Sequence, residues 1–428
     1  MAEPNEDDAL KVLARVTARL EELLDRLPVE IAKDLRARIA TLRTVVLEKR
    51  PPALVLVGRR GAGKSSLVNA LFGAKVAELG HVTAQTGRGR WYEYEKDGGA
   101  LSILDTRGMQ EGGAPAESDE AKTALESIAI ELRAKAPDLV VFVAKATEVD
   151  AAVAPDLDTL ERVYEEIRRA HRMDPPLVAV VSHCDVLEPK AIRLHARPDE
   201  KNGERPDEVD EKLRHVVAAE HALAAKIDQR AALRERHVET IGVSAYMSFR
   251  EGGAVRADER WRIGDLALAL FRHVPDSARA ELARVTRTRA VQEELAATLT
   301  KATATVCAGI AAAPIPVADI VPLTALQAGL VATIAWIAGR SLDRKGATEF
   351  LTGLGANVGA AFVLREAVRA IAKVVAPGGG TVVSATMAFA GTMAVGASAT
   401  AYYIQGKSLR DARRIFRREK VKEPEEKR

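Results

Sequence analysis

Residues 54–71, LVLVGRRGAGKSSLVNAL, constrain this chain more than any other stretch, because they read as a buried strand, a glycine-rich loop and a helix in succession. The apolar run 54–57 suits a parallel strand covered on both faces. After it, Gly58, Gly61 and Gly63 let the backbone curl, so that N–H groups along the loop, through Ala62 to Ser65 and Ser66, point inward. The helix that follows turns its positive dipole end to the same spot. Such a cradle takes a di- or triphosphate. Within the full G-x-x-x-x-G-K-S, Lys64 supplies a point charge to the β- and γ-phosphates, and the Ser65 hydroxyl completes the octahedral shell of a Mg²⁺.

The chain has 428 residues, more than one hydrophobic core usually serves, so two or three domains are expected. Its net charge of +3 neither demands nor excludes an acidic partner. Cys184 and Cys307 sit in unrelated contexts, which rules out a disulfide framework and a metal-ligand spacing and points to a reducing, cytoplasmic setting. The opening residues, MAEPNEDDALK, are acidic and do not read as a secretory signal.

Apolar residues at three- and four-residue spacing predict amphipathic helices over 8–27 and from 29 to about 49, with Pro28 between them and Pro51-Pro52 after them. This N-terminal segment, 1–50, could pack on the nucleotide domain, dock on the C-terminal helices or recruit a partner helix; packing within the chain is the expectation. Residues 91–95 and 100–104 predict an antiparallel hairpin turning at Asp97-Gly98-Gly99. The second strand delivers Asp105-Thr106-Arg107-Gly108 at its carboxyl end, where ligands sit in open α/β sheets. Asp105 would hold Mg²⁺ through a water, and the Gly108 amide would touch the γ-phosphate. Thr83 and Thr86 lie in a polar loop that could close over that phosphate; Thr86 is the preferred second hydroxyl for Mg²⁺, although both could simply begin the strand. Downstream, strands at 139–144, 177–181 and 238–243 alternate with helices at 157–170 and 207–236, with a surface insertion over 190–206. The fold class is α/β, a doubly wound, mostly parallel sheet over 51–275.

The order of P-loop, switch threonine, Asp-x-x-Gly, x-x-x-Asp and Ser-Ala resembles the Era-like branch of the P-loop GTPases, from about Leu54 to Phe271. The resemblance implies GTP and GDP as ligands, Mg²⁺ as cofactor and water as the nucleophile. It assigns Asp185 to the carboxylate that reads guanine, and Ser244-Ala245 to the motif whose backbone N–H meets the guanine O6. Ser182 and His183 stand where the family carries the Asn and Lys that brace that carboxylate, so weaker guanine affinity is expected; His183 could still lie against the base. Met109 replaces the glutamine that orients water in Ras-like proteins, so slow turnover is expected. Gly61 stands where potassium-activated members carry an asparagine, so potassium stimulation is not. Arg59 and Arg60 could supply a built-in finger, but the expectation is that they point to solvent.

Residues 276–301 read as a charged helical connector, and the composition changes abruptly at Ala302. Stretches 320–339 and 382–403 are uncharged and long enough to cross a bilayer. Small residues recur at Gly355 and Gly359 and at Ala390 and Ala394, and a basic tail follows. With Pro314-Ile315-Pro316 near its start, this segment, 302–428, resembles the alanine-rich helical domain of YcjF-type inner-membrane proteins. That resemblance implies attachment through 302–406 at the cytoplasmic face of an inner membrane. A soluble alanine-rich bundle, acting as an effector or self-association domain in a homo-oligomer, would read similarly. There is no dedicated nucleic-acid motif. The expected function is a slow GTPase that couples its nucleotide state to the helical module; a weakly selective NTPase and a non-hydrolysing nucleotide-binding scaffold are the alternatives.

Overall fold

The structure, a computed structural model, describes residues 29–77, 90–96, 99–105, 124–150, 152–194, 206–312, 320–340, 344–354 and 379–421. The helix expected over 8–27, Thr83, Thr86, the turn residues Asp97 and Gly98, the stretch from Thr106 through Gly108 to Met109, the insertion 195–205, Pro314 and Pro316, and Gly355 and Gly359 lie outside these residues. The chain forms two compact units. One is Arg50–Thr288, and the other combines the chain up to Lys49 with Arg289 onward.

Helix α1 (Val29–Val46) precedes the first strand and belongs to the second unit. The first unit then begins with β1 (Ala53–Val57), α2 (Lys64–Phe72), β2 (Arg90–Lys96), β3 (Gly99–Asp105), α3 (Ala124–Ala134) and β4 (Leu139–Lys145). It continues with α4 (Ala154–His171), β5 (Leu177–Ser182), α5 (Pro206–Asp228), α6 (Ala231–Arg234) and β6 (His237–Gly242). The described strands form a six-stranded sheet in the order β2-β3-β1-β4-β5-β6, parallel except for β2. Every residue of β1 and β5 is buried, as uninterrupted apolar runs require of central parallel strands. Carboxyl ends of β1, β3, β4, β5 and β6 therefore gather along one edge, where the loops of interest emerge.

Three features depart from the sequence reading. The helix expected over 207–236 stops at Asp228 and resumes as the short α6, because Arg230 adopts an extended conformation before the chain reverses into β6. Beyond β6 a small hairpin, β7 (Met247–Phe249) with β8 (Val255–Asp258), turns through Gly252 and Gly253, both at positive φ. Helix α7 (Ile263–His273) follows the hairpin. The connector expected to run unbroken is cut at Arg287, whose φ of 47° is left-handed, into α8 (Asp276–Thr286) and α9 (Arg289–Ala312). Helix α8 packs on β3 so closely that a side chain on Gly99 would begin 3.0 Å from Val285, and Glu281 accepts the Ala100 N–H at 3.2 Å. Those contacts put α8 in the first unit and start the second, helical unit at α9.

In the helical unit, Leu35, Ile39, Leu42 and Val46 bury one face of α1, which packs against α9; a side chain on Gly309 would collide with Leu35. Helices α10 (Ile320–Ile337), α11 (Arg344–Gly353), α12 (Gly379–Ala399) and α13 (Leu409–Val421) complete it, with a π-helical turn at Thr400–Ile404. Helices α9 and α12 approach so closely that no Cβ fits at Gly396 beside Thr300. Among the described residues, no helix is long and apolar enough to cross a membrane. The two stretches expected to be capable of crossing instead pack against each other within the unit. Leu326, Val331 and Ile334 on α10 and Ala394, Val395 and Ala399 on α12 are buried, and Gln327 donates to the Thr392 hydroxyl at 3.0 Å. On α13, Ala412 and Phe416 are buried while Arg410, Arg413, Arg414, Arg417 and Arg418 are exposed.

Candidate functional site

The strand β1 ends beneath a loop that only glycine can thread. A side chain on Gly58 would meet the Val143 carbonyl oxygen of β4 at 2.2 Å, so the chain leaves the sheet flush against its neighbour. Gly63, at φ 92°, is the N-cap of α2, and the Leu67 N–H closes the first turn onto its carbonyl at 2.8 Å. The initial N–H groups of α2 have no intrahelical acceptor, and they open toward the loop that carries Gly61 and Ala62. Ser65 and Ser66 lie half-buried in that first turn. Lys64 is buried, and its ammonium donates to the carbonyls of Gly58 and Arg59, the latter at 3.1 Å. The loop is thus wrapped around its own cation.

Arg59 corrects the sequence reading. It points neither to a phosphate nor freely to solvent. Its Nε donates to the buried Asp156 carboxylate at 2.8 Å, its guanidinium also reaches the Ala152 carbonyl, and Glu148 stands 3.4 Å away. A buried carboxylate at the first turn of α4 needs a cation beside it, and Arg59 provides one. Arg60 is exposed.

At the next strand end, Ser182 and His183 hold the two halves of the site together. The Ser182 hydroxyl donates to the Ala62 carbonyl of the phosphate loop at 2.7 Å and lies 3.2 Å from the Ala144 carbonyl of β4. His183 adopts a left-handed φ of 57° and packs on the loop; a side chain on Gly63 would begin 3.0 Å from its Cε1. Its Nδ1 lies 3.0 Å from the Ser182 hydroxyl. Burial pulls the His183 imidazole below its ordinary pKa, Asp185 and Glu148 push the other way, and Lys145 adds to the lowering. The ring is therefore neutral near pH 7 and acts as a flat packing surface rather than a charge.

Asp185 sits in the one-turn 3₁₀ helix Cys184–Val186. That turn is held by a residue the sequence reading missed. Lys212 of α5 is fully buried, and its ammonium donates to the carbonyls of Asp185 at 2.6 Å, Ile192 at 2.9 Å and Pro189 at 3.2 Å. The sequence carries a signal for it: Lys212 occupies the stripe of α5 otherwise filled by the buried Val216, Leu223 and Ile227, at four- and seven-residue spacing. Lys212→Met should lower stability by about 3 kcal/mol, since it strands three carbonyls, one buried and two partly buried. Urea unfolding of the full chain checks this, and a loss below about 1 kcal/mol would deny Lys212 its role as a brace. The neighbouring Cys184 is no nucleophile, because burial pushes its thiol up to about 12.

The β6 end lies beside this turn, with the Cys184 N–H on the Val243 carbonyl at 3.2 Å. Ser244 is buried and exchanges backbone hydrogen bonds with Trp261 at 3.2 and 2.9 Å, so its N–H is engaged, while the following residue, Ala245, is also buried. The Ser244 hydroxyl is buried and has no hydrogen-bond partner among the described residues. A buried polar group in that condition marks a place completed by a further polar atom. Asp105 ends β3 in register with Leu56 of β1, level with the start of the phosphate loop; Thr86 and Gly108 lie outside the described residues. The structure thus joins Lys64, Ser182 and His183 around one loop and sets Asp185 beside Ser244-Ala245.

Residues 53–182 match the model of a family described as 50S ribosome-binding GTPase. A GTPase Der of Staphylococcus epidermidis is 28% identical over 155 residues, 35% of this chain and 32% of the relative. A GTPase Der of Staphylococcus aureus is 28% identical over 151 residues, 34% of this chain and 31% of the relative. The chain spans about a third of the length of the curated relatives it matches. Among solved structures, Toc33 from Arabidopsis thaliana in complex with GDP and Mg²⁺ is similar at 18% identity and a TM-score of 0.32, over 53% of this chain and 83% of that one. Era of Aquifex aeolicus bound to GDP and AlF₄⁻ is similar at 18% identity and a TM-score of 0.27, over 59% and 66%. The family match ends at Ser182, ahead of the C-terminal helices.

Proposed function

We propose that this chain, whose nucleotide unit is a P-loop GTPase domain, binds GTP and GDP with Mg²⁺ and slowly hydrolyses GTP to GDP and phosphate. The observation that carries the reading is the Ser182 bond to the Ala62 carbonyl, which fixes the base-side turn to the phosphate loop at 2.7 Å. One rigid piece then holds both ends of a nucleotide. In this reading the N–H groups from Gly61 to Ser66 and the Lys64 ammonium take the phosphates, with Gly58 giving the backbone its close approach to β4. The Asp185 carboxylate accepts the two guanine donors, N1–H and N2–H₂, and the Ala245 N–H meets the guanine O6. His183 lies flat beside the loop where the base and sugar would pass.

Ser65 and Asp105 are hard oxygen donors at the ends of adjacent elements, a fit for Mg²⁺, with Thr86 as the third protein oxygen. Bound there, the ion supplies charge neutralisation to the phosphates. Catalysis by the chain itself is positioning and electrostatics. Met109 offers no hydrogen bond to a water, and Arg59 is committed to Asp156. Slow turnover follows from both.

The nucleotide state of the Thr86 loop and of the segment from Asp105 through Gly108 would be relayed to the helical unit, which serves as effector or self-association module in a homo-oligomer. The exposed arginines of α13 would hold it at the cytoplasmic face of a membrane without crossing it; co-sedimentation with anionic vesicles tests that, and binding to neutral vesicles alone would remove it. The test of the main reading is competition against fluorescent GDP, with Mg²⁺, by GTP, GDP, ATP and ADP, followed by a multiple-turnover phosphate assay. Competition by guanine nucleotides only is the expected result. Equal competition by adenine nucleotides would make the chain a general NTPase, and zero phosphate release would make it a nucleotide-binding scaffold.

A further inference from the structure

Lys145 is the last residue of β4, in register with Ser182, and neither the nucleotide motifs nor the fold requires a charge there. Its ammonium stands 3.6 Å from where a side chain on Gly61 would begin, an ordinary contact distance that puts the cation against the loop. The ammonium is held by Glu148 at 3.2 Å, and Glu148 is itself shared with Arg59 at 3.4 Å. Lys145 and Glu148 are each about a third exposed, at 29% and 31%. Three cations, Lys64, Lys145 and Arg59, thus crowd one loop against two carboxylates, Glu148 and Asp156. The surplus is positive, and it lies against Gly61 in the part of the loop whose N–H groups form the phosphate cradle.

We infer that Lys145 is a second phosphate-binding cation of the nucleotide site, held by Glu148 until a nucleoside di- or triphosphate draws its ammonium away. The inference rests on the nucleotide-binding reading above. Position decides which ligand group it meets. Asp185 and Ala245 serve the base just beyond the carboxyl ends of β5 and β6, whereas Lys145, at the carboxyl end of the neighbouring β4, stands over the fourth residue of the phosphate motif. A monophosphate would not extend to it. The exchange of partners costs little, because a half-exposed ion pair contributes on the order of 1 kcal/mol or less, and a charge-assisted bond to a phosphate oxygen contributes more. It also keeps the site from holding an uncompensated cation between ligands.

The test uses the full chain and titrates GMP, GDP and GTP by calorimetry against wild type, Lys145→Met and Glu148→Gln, with thermal unfolding as the check on folding. Lys145→Met keeps the length of the side chain and removes its charge. It should weaken GDP and GTP by about tenfold and leave GMP unchanged. Glu148→Gln releases the ammonium and should strengthen GDP by about threefold, an outcome that mere loss of structure cannot produce. Equal weakening of all three ligands by Lys145→Met would mean that the residue only shapes the loop, and would overturn the inference. So would unchanged affinities. If wild type binds GMP, GDP and GTP not at all, the nucleotide reading itself has failed, and that result is visible before either variant is compared.

Discussion

Lys64→Ala should lower GTP affinity by about a hundredfold while the chain stays folded. The wild-type ammonium is already buried and bonded to the Gly58 and Arg59 carbonyls, so it is positioned before any ligand arrives. A phosphate meeting it gains a charge-assisted bond without the cost of ordering a long side chain. Alanine removes that bond and the charge, and it also frees the two carbonyls that the ammonium now draws together. The loss should be larger for triphosphate than for monophosphate. Titration of a fluorescent GTP analogue, with circular dichroism as the control, measures it. Wild-type affinity in a folded variant would mean that this loop does not hold phosphate.

The second large effect is a change of base. Asp185→Asn should reverse the ranking of guanine and xanthine nucleotides, by a swing of at least about a hundredfold. Xanthine carries a carbonyl where guanine carries an amino group, so an amide side chain suits the one as a carboxylate suits the other. The backbone of the turn should be unaffected, because Lys212 grips it through the main-chain carbonyl of Asp185 and not through the side chain. Competition by GDP and xanthosine diphosphate on the same preparation gives the result. An unchanged ranking would place the base elsewhere and leave the Ser182 bridge as a purely structural tie.

The phosphate loop and the buried strands were legible because each rests on a local pattern. Apolar runs such as those of β1 and β5 leave no alternative to a central strand, and G-x-x-x-x-G-K-S prescribes its own turn. What escaped was set by partners far along the chain. Arg59 was expected to face solvent, as basic loop side chains usually do, and Asp156, its actual partner, lies almost a hundred residues on. Ser182 was read as a missing asparagine; nothing short of the fold shows that a hydroxyl at that position reaches the Ala62 carbonyl. Lys212 lies on a helix rich in charges, and its burial is set by the Asp185, Pro189 and Ile192 carbonyls that the fold brings to it. The break at Arg287 escaped for another reason: the β-branched Val285, Thr286 and Thr288 around it lower helix propensity only slightly, and α8 packs on β3 just before the break.

The helical unit is assembled from both ends of the chain, since α1 packs on α9 while the whole nucleotide unit lies between them in sequence. During synthesis α1 emerges first and its partner emerges more than two hundred residues later, so its apolar face of Leu35, Ile39 and Leu42 must wait. The intervening unit shortens that wait in a thermodynamic sense. Once folded, it ties its first residue to the start of its last helix, with the Arg50 N–H on the Ser277 carbonyl at 2.9 Å. A search that would close a loop of hundreds of flexible residues becomes one across a folded domain. Maturation of the helices is therefore expected to follow that of the nucleotide unit, and a ligand that stabilises the insert would also hasten the meeting of the chain's two distant segments.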